Sequence, residues 1–131
     1  MSAWSHLPNA RHIDWVVESV KTHPELWRMA YGATRNTAYQ LALNTVYDAM
    51  RVAGREENWS AAMLPTRSAA WRAACDANLA LIAYDDCDQY LSMSSEELKV
   101  WAYLSEKPAA VLLLPMVIVR EQLQKNGDSI K

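Results

Sequence analysis

The chain has no phenylalanine, only three glycines and only two cysteines among its 131 residues. A backbone cradle for phosphate is built from glycines, so their scarcity argues against a Gly-rich nucleotide loop. There is also no G-x-S-x-G nucleophile elbow and no H-E-x-x-H zinc helix. Cys75 and Cys87 fit none of the paired zinc or redox spacings, and no secretory signal precedes them, so two reduced thiols in a cytoplasm are expected. His6, His12 and His23 include no pair at i, i+4, which assigns them surface or capping roles rather than a metal. The longest apolar run, Ala109 to Val119, is about half the length a membrane helix needs and contains Pro115; it is expected to be a core helix. Strand signals are missing as well, since there is little period-two alternation and no Asn-Gly or Asp-Gly hairpin.

What remains is helical, and about half of it apolar: hydrophobic residues make up 51% of the sequence. That composition and length fit one self-sufficient core, so residues 1–131 are expected to form a single all-α domain, a compact bundle of five or six helices. The net charge of −2 advertises neither nucleic acid nor membrane, but it is unevenly spread. Residues 24–75 carry six arginines and no lysine against four acids, whereas residues 76–131 carry nine acids against five bases. Arginine suits planar, bidentate contacts at interfaces, so the first stretch points to a binding surface.

Asn9 is placed to cap a first helix in which Ile13, Val16, Val17 and Val20 share one face. Pro24 suits the first turn of a second helix, which runs toward Gly32, and a longer helix is expected from Thr34 to Ala53, closed by Gly54. Residues 55–65 read as a polar connection holding at most one helical turn. A helix over Arg67 to Leu91 should follow. Ser94 and Glu97 form a capping box that opens another, with Leu98, Trp101 and Ala102 on one face. Pro108 starts the last helix, Pro115 should kink or break it, and Gly127 should end it. The first and last helices, with the cleanest apolar faces, are expected to pack together.

Read every fourth residue from Trp27, the chain shows Tyr31, Arg35, Tyr39, Leu43, Tyr47, Arg51, Arg55, Trp59, Met63, Arg67, Trp71, Cys75 and Leu79. The residue before each is often small, as with Ala30, Thr34, Ala38, Ala42, Ala62, Ala70 and Ala74. On a helix this tetrad period drifts by about 40° per step, so its large residues spiral rather than line one stripe. Such helices must touch neighbours on several sides or expose some of their aromatics and arginines. Packed in the core, the series is structural; exposed, it is a face for a partner.

The eroded tetrads, the opening WSHLPNARHID from Trp4 to Asp14, and the closing segments LIAYDDC from Leu81 and PAAVLLLP from Pro108 resemble alanine-rich accessory proteins of phages and prophages, which carry runs such as AAWDAARDAA. The likeness covers most of the chain and brings no catalytic motif with it. It implies a mobile-element accessory protein, in the host bacterial cytoplasm, that binds and inhibits a host protein; defence inhibitors such as anti-CRISPR proteins belong to that class.

Two groups of candidate residues follow. Arg35, Arg51, Arg55, Trp59 and Arg67 sit where the tetrad spiral meets the polar connection and are the expected partner contacts. Asp85, Asp86 and Asp88 form an acidic cluster in which a helical wheel turns Asp86 toward the core, beside Trp71, Cys75 and Leu79. A carboxylate so placed is either satisfied structurally or serves a metal, and with Glu56 and Glu57 it would suggest a magnesium-dependent nucleotide-processing enzyme. A helix-turn-helix regulator using Arg28, Arg35, Arg51 and Arg55 on phosphates is the third reading, disfavoured by the acidic C-terminal half. No cofactor is expected.

Overall fold

The structure, a computed structural model, describes residues 3–64, 70–84, 86–104 and 107–125, with backbone alone at 101–104. Among these residues it is all-helical, with eight helices rather than five or six: α1 (Ala10–Thr22), α2 (Pro24–Thr34), α3 (Thr37–Val52), α4 (Glu56–Met63), α5 (Trp71–Ala83), α6 (Asp88–Leu91), α7 (Ser95–Leu104) and α8 (Pro108–Lys125). The additional helices arise where expected elements divide. Asn36 ends the run from Thr34 by accepting the Tyr39 amide at 2.9 Å, so α2 and α3 are distinct helices. The polar connection is two turns of helix, α4, whose first turn carries Glu56 and Glu57 where the helix dipole favours anions. The helix expected to reach Leu91 stops at Ala83, because Tyr84 is extended, and resumes as α6.

Local chemistry elsewhere acts as the sequence suggests. Gly54 has a φ of 70°, in the left-handed region. Its amide bonds to Arg51 O at 3.0 Å and the Arg55 amide to Met50 O at 3.2 Å, a Schellman closure of α3. The capping box is reciprocal: Glu97 Oε1 accepts the Ser94 amide at 3.0 Å, and the Glu97 amide bonds back to Ser94 Oγ at 3.2 Å. Leu98 is buried, while the side chains of Trp101 and Ala102, and Gly127 itself, lie outside the described residues.

Two helices form the centre. α8 packs against α2, α3, α5 and α7, and runs through Pro115 without ending. The helix is carried past Pro115 by its packing, with Ala109 through Val117 all buried, at the cost of the backbone hydrogen bond that Pro115 cannot donate. α5 is enclosed by α1, α2, α3, α4 and α8, and every residue from Ala73 to Ile82 is buried. Ala73, Ala74, Ala77 and Ala80 make it slim enough for five neighbours to approach. The expected pairing of first and last helices is not what forms. α1 directs its buried Ile13, Val16, Val17 and Val20 mainly at α5, with α2 and α4 at its sides, because α5 takes the central position.

A helix enclosed on all sides cannot leave its last carbonyls to water. Asn9 Nδ2 donates to Leu81 O at 3.4 Å and Tyr84 O at 3.2 Å. Arg55 Nη1 donates to Ile82 O at 2.7 Å, and Cys87 Sγ lies 3.4 Å from Ala80 O. Asn9 thus stands at the N-cap position of α1 without capping it, its amide spent on α5 instead. Replacing Asn9 with Ala or Arg55 with Met should each cost about 1–3 kcal/mol, the penalty for stranding buried carbonyls, whereas Arg51→Gln should cost less than about 0.5 kcal/mol. Urea unfolding of the three variants checks this; equal midpoints would contradict the clamp.

Candidate functional site

The tetrad spiral materialises in α3. Tyr39 is fully buried, Leu43 half-buried, and Tyr47 and Arg51 exposed, as a 40° drift per tetrad requires. The buried stripe of α3 is instead Tyr39, Ala42, Val46 and Met50. The large residues that the spiral leaves outside are held against one another. The Arg51 guanidinium lies 5.9 Å from the Tyr47 ring centroid, and Tyr47 meets Trp59 of α4 edge-on at 6.3 Å. At the other end of α3, Arg35 lies 5.5 Å over Tyr31, which meets Tyr39 edge-on at 5.8 Å, and Arg72 lies 5.2 Å over Trp71.

Two depressions connect these groups. A groove of about 690 Å³ is lined by Trp59, Ser60, Ala61, Met63, Leu64 and Trp71, with Leu64 63% and Trp71 40% exposed. A smaller pocket of about 180 Å³ is lined by Arg28, Tyr31, Ala70, Trp71, Arg72 and Ala73. Trp71 is the wall common to both. The result is one band of arginine and aromatic side chains, running from Arg51 and Tyr47 through Trp59 and Trp71 to Arg72, Tyr31 and Arg35.

The charge in this band is unevenly compensated. Arg28 pairs with Glu25 at 2.8 Å and Arg51 with Asp48 at 3.5 Å, both on the surface where such pairs contribute little. Arg35 and Arg72 make no salt bridge among the described residues, although the charge of Arg72 reaches the buried Asp76 four residues on. Each is instead laid on a ring, which pre-orders the guanidinium while leaving its donors open.

Of the expected partner contacts, Arg35 and Arg51 are exposed and Trp59 is half-buried, all three in the band. Arg35 and Arg51 lie at opposite ends of α3, about 24 Å apart at 1.5 Å per residue, so they serve different parts of one surface. Arg55 is turned inward onto α5, because the Schellman turn at Gly54 aims it there, and Arg67 lies outside the described residues. The acidic cluster does not point inward. Asp86 is exposed on the turn after α5 and Asp88 is exposed on α6, because the helix on which Asp86 was to face the core ends at Ala83. Asp85 lies outside the described residues. Among those residues no three His, Cys, Asp or Glu side chains gather to hold a metal.

Among the described residues the buried carboxylate is Asp76, 1% exposed in the middle of α5. It faces the Tyr39 hydroxyl of α3, and the two interact electrostatically, yet neither Asp76 Oδ2 nor Tyr39 Oη completes a well-formed hydrogen bond. Burial pushes the Asp76 carboxyl up to about 6, opposed by Tyr39 and by the charge of Arg72. Burial likewise raises Tyr39 well above the usual phenol range and pushes the Cys75 thiol up to about 12. A sequence signal for Asp76 existed: apart from Asp76 and Asn78 the segment from Ala73 to Ala83 is apolar around its whole circumference, so a polar residue in its middle is expected to be buried too.

No family model, curated protein or solved structure matches this chain.

Since the folded form binds the Asp76 proton more tightly than the unfolded chain, its contribution to stability is full below the ordinary value of 3.8 and is lost as pH rises through about 6. Asp76→Asn removes that titration. The stability of Asp76→Asn relative to the native protein should therefore rise by roughly 3 kcal/mol at most between about pH 4 and pH 8, measured by urea unfolding at each pH. A gap that does not change with pH would mean that Asp76 is already paired in the folded state.

Proposed function

We propose that this protein works by binding another protein, with the arginine and aromatic band across α2, α3, α4 and α5 as its docking face. The observation that carries the reading is the pair Arg35 and Arg72, two exposed cations in no salt bridge among the described residues, each with its guanidinium within 5.5 Å of an aromatic ring centroid. Exposed arginine stacked on tyrosine or tryptophan has little to contribute to the fold. Those three residue types are the ones that dominate contact energy between proteins. The partner this face suits is acidic where it meets the arginines and apolar where it meets Trp59, Leu64 and Trp71.

The resemblance to alanine-rich phage and prophage proteins gives this binding its purpose. The partner is then a host protein, with a component of a defence system as the anti-CRISPR-like case, and the outcome is inhibition by occupation of its surface. The other two readings draw less support from the geometry. Asp86 and Asp88 are exposed on separate elements, and Arg55 is committed to the end of α5 rather than to phosphates.

The test compares tagged native protein with a variant carrying Arg35→Gln and Arg72→Gln, each incubated with bacterial lysate at moderate and high salt. A stoichiometric host protein should be retained by the native protein and lost from the variant, whose melting temperature should stay within about 2 °C of the native value because surface substitutions of this kind are nearly neutral. A partner retained equally by both would place the contact elsewhere on the molecule.

A further inference from the structure

We propose that the pocket and the groove on either side of Trp71 form one two-pronged site for a partner segment that presents an acidic side chain next to a large apolar one. This deepens the docking face by naming what it recognises. The acidic prong enters the pocket between Arg28 and Arg72, whose 180 Å³ has room for one carboxylate and its stem. Arg72 is exposed and makes no salt bridge among the described residues; its guanidinium lies 5.2 Å from the Trp71 ring, and the one carboxylate that feels its charge, Asp76, is buried on the inner side of α5. Arg28 can exchange its Glu25 carboxylate for an incoming one at little cost, since both side chains of that pair are mostly exposed, 66% and 78%. The pocket also opens on the first turn of α5, where Ala70 provides no side-chain cap. The dipole there adds to the arginines in favouring an anion.

The apolar prong lies across Trp71. Met63, Leu64 and the two tryptophans supply hydrocarbon and ring surface to a groove nearly four times the volume of the pocket, enough for a leucine, methionine or aromatic side chain. The shared wall fixes the arrangement, because one indole separates the charged site from the apolar one and the two prongs must be close in the partner's sequence or on adjacent turns of its helix. The same geometry favours a protein over a nucleic acid. A phosphate backbone needs a row of cations, whereas here two arginines share one pocket and the next surface along is apolar.

The experiment is a selection from a displayed random-peptide library on the full chain, followed by titration of the best peptide into the ¹⁵N-labelled protein. Selected peptides should carry Asp or Glu within a few residues of Leu, Met or an aromatic, and should shift the Trp71, Arg72 and Ala73 amides together with the Trp59 and Trp71 indoles. Arg72→Gln should weaken the peptide by about tenfold or more, the loss of one charge-assisted contact. In that background, changing the peptide's acid to its amide should cost clearly less than it does on the native protein, because only Arg28 remains to meet it. Leu64→Ser should weaken the peptide independently, with the acid still contributing in full. Peptides without an acidic residue, or binding indifferent to both substitutions, would overturn the site. A short DNA duplex that bound instead, through Arg72 and with steep salt dependence, would overturn it too. The selection needs no natural partner, so a lysate experiment that captures nothing and a selection that yields no such peptides are separate failures.

Discussion

Everything in this molecule is arranged around an enclosed helix whose end must be satisfied. With five helices packed on α5, its final carbonyls are largely shielded from water, and they are met by Asn9 from before α1, Arg55 from the turn between α3 and α4, and Cys87 from before α6. These donors tie the start, the middle and the later part of the chain to one point. They also place the surface. The Gly54 turn that aims Arg55 at Ile82 O is the turn that starts α4, and α4 carries Trp59 to the groove that Trp71 closes from the other side.

That constraint explains which features could be read in advance. Most signals that act within a turn of helix are met in the structure: Pro24 at the start of α2, Gly54 after α3, the Ser94 and Glu97 box, the apolar stripe of α1 and the tetrad drift of α3; Asn9, which does not cap α1, and Pro115, which does not end α8, are overridden by packing. Features set by distant partners did not. Nothing near Tyr84 in sequence shows that its carbonyl is taken by Asn9, 75 residues away, and so nothing local shows that α5 stops at Ala83. A helical wheel extended past that stop turns Asp86 toward the core, whereas the buried acid among the described residues is Asp76, ten residues earlier and within α5. Arg55 shared a spacing with the band arginines and was grouped with them, but spacing says nothing of whether a guanidinium meets a carbonyl or a solvent-facing ring.

The surface band is the counterpart of the packed interior. A four-residue beat cannot keep its large residues on one side of a helix, so it divides them: Trp27, Tyr39, Met63, Cys75 and Leu79 fill the core, while Arg35, Tyr47, Arg51 and Trp71 remain outside. Among the small residues just before them, Ala30, Ala42 and Ala74 are buried where α2 and α3 pack on α5, while outside the core Tyr47 of α3 meets Trp59 of α4 edge-on. One sequence rhythm thereby supplies both a dense core and a rim of arginine and aromatic groups, and the proposed binding of an acidic, apolar partner uses the half of the pattern that packing leaves over.

Native-state hydrogen exchange at single-residue resolution reads the enclosed helix most directly, because helix ends ordinarily fray and exchange through local opening. If α5 is held at its end by donors from three other parts of the chain, the amides of Leu81, Ile82 and Ala83 should exchange only with global unfolding, as slowly as those of Leu113 and Val117 in α8. Exchange of those three amides at the rate of the last turn of α2 would show an end that opens on its own, and would contradict the clamp on which the rest of the structure depends.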